Sequence, residues 1–323
     1  MNGEELIKKR KDILEGLGGL PEPEVINKEW LYLLGEETRN SILVEGYFVS
    51  EKELKTVLLK NQPMTRTEEE AFNYFRTASF IYELAYENYK QKEFLFGIPL
   101  IRQINKSLGN SGEFRKGEIK VAGAKFNPPE SYVQDWANIF VDFINHTEKD
   151  FNFNNISISH GFFEEIHPFI DGNGRTGRII LNYLFISKGY PLVVIKGDED
   201  NKKLYYRGLE EIDVQISEVF QKYKNKHPNG DEIIGQLKAT KSKLLKNLIL
   251  ESLIDSLDRI IIGILERQGK KLELVSDLLS DIGYSPSSAR QLIKRGKIIA
   301  VKRDNKWFSI KDIVNKFLKV ESV

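Results

Sequence analysis

The sequence predicts a mainly α protein with one β-hairpin and a small C-terminal appendage. Three observations carry this. Apolar residues recur at spacings of three and four through most of the chain. Only one segment is patterned as a hairpin, and the C-terminal end places two short helical runs before two strand-like ones. The bulk numbers agree. A chain of 323 residues, 41% hydrophobic and 29% charged, has ordinary soluble composition and length enough for one large domain plus a smaller one. A formal net charge of +1 gives no whole-molecule attraction to nucleic acid or anionic lipid, so such binding needs a local patch. With no cysteine, disulfides, thiolate zinc sites, iron–sulfur clusters and a cysteine nucleophile are excluded.

The elements follow in order. Residues 1–19 are charged and have no apolar core, so they do not read as a secretory signal, and no stretch is apolar enough to span a membrane. The expected location is the cytoplasm. In the run 41–46, Ser41 and Glu45 are four apart, on one face of a helix that Gly46 would end. Segment 68–92 places Phe72, Phe75, Ser79, Tyr82 and Tyr86 on one helical stripe, and 94–108 reads as a second helix. Residues 111–127 hold short β-capable pieces around turn signals at Lys116-Gly117 and Gly123, the one hairpin candidate. Helices are predicted over 130–146, 156–166, 175–188, 204–226 and 231–267. The domain division expected is 1–60, an N-terminal segment; 61–255, the core; and 265–323, the appendage, with the boundary near 250–270.

The run from His167 to Arg178 carries the chemistry. Asp171, Gly172, Asn173, Gly174 and Arg175 sit between two helical segments, so their amides lie at the start of the second. Free N–H groups and the helix dipole make such a place an anion site. Gly172 and Gly174 allow close backbone approach. Arg175 and Arg178, three apart, are expected to reach one bound anion. Asp171 is a candidate Mg²⁺ ligand beside substrate phosphates, and His167 a candidate base for a hydroxyl. The plain alternatives are a structural Gly-Asn-Gly turn and a structural histidine. Zinc shared by His160 and His167 is discounted, because seven residues separate them by two turns.

With those residues in view, the run resembles the Fic-domain signature, His-Pro-Phe-x-Asp/Glu-Gly-Asn-Gly-Arg-x-x-Arg, at every defining position. The similarity extends over roughly residues 35–225 and implies a Fic-type helical core. It also implies an activity: transfer of AMP from ATP to a Ser, Thr or Tyr hydroxyl of a target protein, with other nucleotides, phosphocholine or the reverse reaction in a minority of members. By that resemblance His167 would be the general base and Asp171 the Mg²⁺ ligand. Asn173 and the loop amides (Gly172, Gly174, Thr176 and Gly177 among the surrounding positions) would hold phosphate, and Arg175 and Arg178 the β- and γ-phosphates. Phe169 would anchor the loop in the core. Tyr205 and Tyr206 match a position near the adenine, and Asp213 stands where some relatives carry Asn. The hairpin 111–127 resembles the family's flap. A target segment would pair with its edge, and Ala122, Gly123, Ala124 and Lys125 would lie beside the nucleotide. Ser41, Glu45 and Gly46 resemble an inhibitory helix whose glutamate takes Arg178 from the γ-phosphate. Removal of AMP and self-modification stay open.

The tail reads as helix, Gly-containing turn and a second helix capped by Ser285 with Pro286 at its first position, then a small strand wing. From Tyr284 to Lys311 there are eight Lys/Arg against one acid, Asp304. The pattern resembles winged-helix DNA-binding modules, many of which dock proteins instead. The expected function is an autoinhibited protein adenylyltransferase using Mg²⁺ and ATP, with the alternative of a DNA-binding regulator whose core senses nucleotide. No membrane partner is expected, and a homo-oligomer is open.

Overall fold

The computed structural model describes residues 2–24, 27–121 and 127–319. The chain opens with α1 (Gly3–Gly16), α2 (Lys28–Val44), α3 (Glu51–Lys60) and α4 (Arg66–Gln91). The latter two start on reciprocal caps: Ser50 and Thr65 accept from the amides of Glu53 and Glu68, whose carboxylates reach back to the cap amides. There follow α5 (Ile98–Ser107), α6 (Val133–Thr147), α7 (Phe153–Ile166), α8 (Asn173–Ile186) and α9 (Glu199–Lys222). Helices α7 and α8 are buried on nearly all sides, the mark of central helices. Helices α2, α4, α6 and α9 pack around this pair, so the loop between its two members opens at one end of the core.

Two expectations need correction. The predicted helix 231–267 is two helices, α10 (Gly230–Ala239) and α11 (Leu244–Arg267). The break is captured by side chains: Asn154 accepts from the amide of Ser242 at 3.0 Å, and Glu211 from those of Lys243 and Leu244 at 2.9 and 2.8 Å. The segment 111–121 forms no strand among the described residues. Its backbone is claimed elsewhere: Arg102 donates to the Gly112 carbonyl, Asn105 accepts from the Gly112 amide, and the Arg115 amide donates to the Pro168 carbonyl. Residues 122–126, the centre of the expected flap, lie outside the described residues.

The tail contains β1 (Glu273–Leu274), α12 (Val275–Ser280), α13 (Pro286–Lys294), β2 (Val301–Arg303), β3 (Lys306–Ser309) and α14 (Lys311–Lys319). Strand β3 lies between β1 and β2, antiparallel to both. The Asp304-Asn305 turn joining β2 to β3 has positive φ at both residues, which suits a two-residue hairpin. A small apolar cluster of Val275, Leu278, Leu279, Ala289, Ile298, Ala300, Val314 and Leu318 belongs to the tail alone. Arg10 fastens the tail to the body. Fully buried, it donates to Asp258 of α11 at 2.6 Å and to the carbonyls of Gly296 and Ile298 at 2.8 and 3.1 Å. Among the described residues no helix is long and apolar enough to cross a membrane.

Candidate active site at the start of helix α8

Helix α7 ends on His167, which takes a left-handed conformation (φ 48°) and turns the chain back. Non-glycine residues adopt this conformation rarely, so the surroundings must enforce it. The His167 Nδ1 lies 3.0 Å from the Glu164 carbonyl oxygen. Only a protonated nitrogen satisfies a carbonyl, so the neutral ring keeps its lone pair on Nε2. Burial holds the imidazole below its ordinary pKa, which favours that neutral form.

The loop that follows is braced from within. Phe169 is buried, and the Asn173 side chain closes on its backbone, accepting from its amide and donating to its carbonyl, each at 2.9 Å. Gly172 (φ 78°) caps α8, so the amides of Asn173, Gly174 and Arg175 occupy the first turn, which lacks intrahelical acceptors. Asp171 is exposed beside them, its Oδ1 accepting from the Gly172 amide at 2.6 Å.

Helix α2 lies across this helix start. Its C-terminal residue Val44 is followed by Glu45, and Gly46 (φ 92°) turns the chain away. The Glu45 carboxylate accepts from Arg178 Nη2 at 2.6 Å, while Arg178 also donates to the Ser41 hydroxyl at 2.7 Å and its carbonyl at 3.0 Å. Burial pushes the Glu45 carboxyl up, but the Arg178 guanidinium outweighs it and holds the group below the usual range. A Cβ at Gly174 would stand 2.4 Å from the Glu45 carboxylate, so the two groups lie directly against each other. That carboxylate therefore sits over the helix start itself.

A cavity of about 530 Å³ opens at this point, and His167, Asp171, Gly174, Arg178, Tyr206 and Asp213 are among its walls. Not every expected residue reaches it in the expected way. Arg175 does not share an anion grip with Arg178. Its guanidinium goes to Glu70 of α4 and to Asp171 (3.1 Å), because the other face of α8 meets α4. Thr176 and Gly177 are buried on the inner side of α8. Thr176 faces Asn105, and a Cβ on Gly177 would meet the Glu164 carboxyl at 2.3 Å. The Asn173 side chain is spent on Phe169, leaving only its backbone for a ligand. Tyr205 is buried and bonded to His160 at 2.8 Å, whereas Tyr206 is 46% exposed. Ala122, Gly123, Ala124 and Lys125 lie outside the described residues.

Sequence reasoning missed several side chains that hold this site. Arg115 is buried and donates to the carbonyls of His167 (2.7 Å), Ile166 (3.1 Å) and Pro129 (2.7 Å), knitting the 111–121 segment to the turn at His167. Asn105 donates to the Asp171 carbonyl at 2.9 Å. Glu37, on α2, takes the Tyr74 hydroxyl, and burial pushes its carboxyl up to about 8. His160 lies between Tyr205 and the Gly177 carbonyl, and burial drops its imidazole to about 3. Local pattern offers no signal for these residues, since their partners are distant in the chain. Among the described residues no three metal-ligating side chains cluster.

Comparison with known proteins places this geometry in a family. The sequence profile of the Fic/DOC family matches residues 96–185, which include the whole run from His167 to Arg178. The chain is 30% identical over 311 residues to a "Probable protein adenylyltransferase" of Aquifex aeolicus (strain VF5), covering 91% of each. It is 36% identical over 105 residues to "Protein adenylyltransferase Fic" of Drosophila yakuba, of which the match spans only 20%. In fold it resembles a Fic-domain-containing signaling protein of Bacteroides thetaiotaomicron (TM-score 0.61, 20% identity, 79% of this chain and 96% of that one). It also resembles Fic-1 of Caenorhabditis elegans (TM-score 0.59, 17% identity, 82% and 73%). With a relative aligned along nine-tenths of both chains, the protein belongs to the Fic/DOC family.

Proposed function

We propose that the chain is a protein adenylyltransferase that moves AMP from ATP to a hydroxyl of a protein target and is held in check by helix α2. The observation that carries this is the pairing of a neutral His167, its Nε2 lone pair available, with an anion-binding helix start in one cavity. The relatives named as adenylyltransferases support the choice of group transferred.

In this reading, His167 Nε2 takes the proton of the target hydroxyl as its oxygen attacks the α-phosphorus. The bond from that phosphorus to the bridging oxygen breaks, and pyrophosphate leaves. The first-turn amides of α8 meet the α-phosphate charge, and Arg178 meets the departing pyrophosphate. A single exposed carboxylate, Asp171, suits Mg²⁺, which is commonly held by one or two carboxylates and substrate phosphates. Bound there, the ion would neutralise phosphate charge. Arg175, through its contact with Asp171, orients that carboxylate. Glu45 opposes the reaction twice, by occupying Arg178 and by lying over Gly174 where phosphate would approach. Following label from α-labelled ATP onto protein tests the proposal. Label that requires His167 supports it, and none from any Glu45 variant defeats it.

A second reading concerns the tail. Arg290 and Lys294 on α13, Arg295 just after it, and Lys302 and Lys306 on the β2–β3 hairpin are all exposed. Arg303 differs, being paired with Glu266. Such a cationic face fits a nucleic-acid backbone, and a salt-dependent shift of labelled duplex by the full chain would support that fit. A shift insensitive to salt, or none, would leave the face to protein docking.

A further inference from the structure

We infer that a second cavity, walled by Glu165, receives the cationic side chain of a lysine or arginine flanking the modified hydroxyl of the protein target. The inference rests on the protein-target reading above and adds to it a side chain by which targets are told apart.

The last turn of α7 carries two consecutive carboxyls that go to different places. Glu164 lines the nucleotide cavity beside His167. Glu165 lines a separate cavity of about 360 Å³, within the range of about 300–1,000 Å³ usual for ligand sites. Tyr206, Leu209 and Glu210, which wall the nucleotide cavity, take no part in this one, and Asp213 stands between the two. Glu165 is 2% exposed, and neither of its carboxyl oxygens has a hydrogen-bond partner among the described residues. Buried polar atoms nearly always find partners, because leaving one unmet costs free energy. A carboxyl with neither partner nor bulk water, at the wall of a cavity, is placed to meet a donor that enters.

The rest of the lining selects the donor. Pro128, Pro129 and Phe220 are buried and give an apolar wall, and Phe220 is fixed by stacking on Trp136 with ring centroids 4.6 Å apart. Ser217 spends its hydroxyl proton on the Val214 carbonyl at 3.2 Å, so it offers the cavity lone pairs, as the Asp213 carboxyl does. Lys224, exposed at the same cavity, is paired with Glu130 at 2.5 Å, which leaves the acids uncompensated. Apolar walls beside acids and acceptors suit an alkyl stem with an ammonium or guanidinium head, which buries methylenes and donates several hydrogen bonds. Burial, with the Asp213 carboxyl nearby, raises Glu165 well above the usual range, so it keeps its proton while the cavity is empty. An arriving cation favours the charged form and sends that proton to solvent.

The position suits a flanking residue. Glu165 precedes His167 by two residues, about 3 Å of helix rise. Arg115 donates to the carbonyls of Pro129 and His167, each at 2.7 Å, so the cavity wall and the base are held together. An extended chain covers about 3.3–3.6 Å per residue, so a target with its hydroxyl at His167 has side chains about one to three residues away within reach of the cavity.

The first test is calorimetric titration of the full-length protein with n-butylguanidinium and with n-butylurea, which match in shape but not in charge. The charged probe is expected to bind at least about 10-fold tighter, since hydrogen bonds between charged groups are roughly twice as strong as neutral ones. Glu165→Leu should bring the two within about twofold while raising the melting temperature of the empty protein, because an unmet buried polar group is removed. Glu165→Gln, which keeps the size but not the charge, should weaken the guanidinium about 10-fold and leave the urea unmoved, and it decides if Glu165→Leu fails to fold. Equal binding of the probes, no binding, or binding unmoved by these substitutions overturns the proposal whatever the fate of the transfer reading.

The second test reads the source of the cation, using the Glu45→Gly protein, α-labelled ATP and a mixed library of peptides containing Ser, Thr or Tyr. Labelled peptides should be enriched in Lys or Arg within about three residues of the modified hydroxyl, and Glu165→Leu should erase the enrichment. Guanidinium binding with unenriched label gives the cavity to a free amine and overturns the assignment to a target. No label on any peptide overturns the transfer reading and that assignment with it, while the probe titration judges the cavity independently.

Discussion

Replacing Glu45 by glycine should make the protein both faster and less stable, and the two effects have one origin. Arg178 is 3% exposed and its Nη2 lies 2.6 Å from the Glu45 carboxylate. Removing one partner of a buried ion pair costs about 3–5 kcal/mol, chiefly because the other charge is left unmet. Here the two hydrogen bonds that Arg178 donates to Ser41 persist and the Glu45 side chain is 33% exposed. The cost should therefore fall below that range, to about 2 kcal/mol. In a chain of this size that lowers Tm by roughly 4 °C. Phosphate can then take the vacated guanidinium, so ATP should raise Tm more in Glu45→Gly than in the parent. If the carboxylate displaces the triphosphate by about 1 Å, its removal should speed AMP transfer about 100-fold. Glu45→Gln, which keeps the side-chain size and an acceptor without the charge, should lie between. Calorimetry with and without ATP, alongside initial rates with labelled ATP, reads both effects. Equal Tm, equal ATP response and equal rates in parent and Glu45→Gly would refute the reasoning.

Three further outcomes are expected. Arg115→Met strips donors from the carbonyls of Ile166, His167 and Pro129, which should cost about 3 kcal/mol in urea unfolding and slow transfer by loosening the turn. An unchanged midpoint would count against that role. Stability should fall as pH rises from about 6.5 to 8. Burial raises Glu37 and Glu164 to about 8 in the fold, so the folded chain binds more protons than the unfolded one across that window. Their contribution is fully present below the unfolded carboxyl pKa and is lost as pH rises through the folded value. His160, depressed to about 3, acts oppositely but only below the ordinary histidine pKa. Melting curves at fixed ionic strength check this, and Glu37→Gln should flatten the decline. Arg175→Lys, which keeps a cation for Glu70 but loses the second nitrogen that holds Asp171, should raise the Mg²⁺ needed for half-maximal transfer about 10-fold. An unaltered Mg²⁺ requirement would remove Arg175 from that role.

What could be read from sequence was what repeats locally. Helical stripes such as Phe72 to Tyr86 depend on periodicity, and His167 to Arg178 holds its chemistry within twelve consecutive residues. The Ser41 and Glu45 spacing was likewise visible, because both sit on one helix face. What could not be read depended on partners far away. Arg175 looks equivalent to Arg178 in the chain, yet α4 supplies Glu70 to one and α2 supplies Glu45 to the other. Thr176 and Gly177 belong to the same run but fall on the inward face of α8. The break at residues 240–243 relies on Asn154 and Glu211, and Arg115 looks like any surface arginine until its four carbonyl acceptors are assembled. No strand forms in residues 111–121, where α5 and the Pro168 carbonyl claim backbone groups that a partner strand would need.

The central claim is that His167 drives AMP transfer to protein once Glu45 releases Arg178. Intact-mass spectrometry of the Glu45→Gly protein after incubation with ATP and Mg²⁺ tests it most directly. The account predicts an AMP adduct on the chain or on an added protein target, absent in the parent over the same time and absent in Glu45→Gly combined with His167→Ala. An adduct that persists without His167, or none in Glu45→Gly alone, would contradict it.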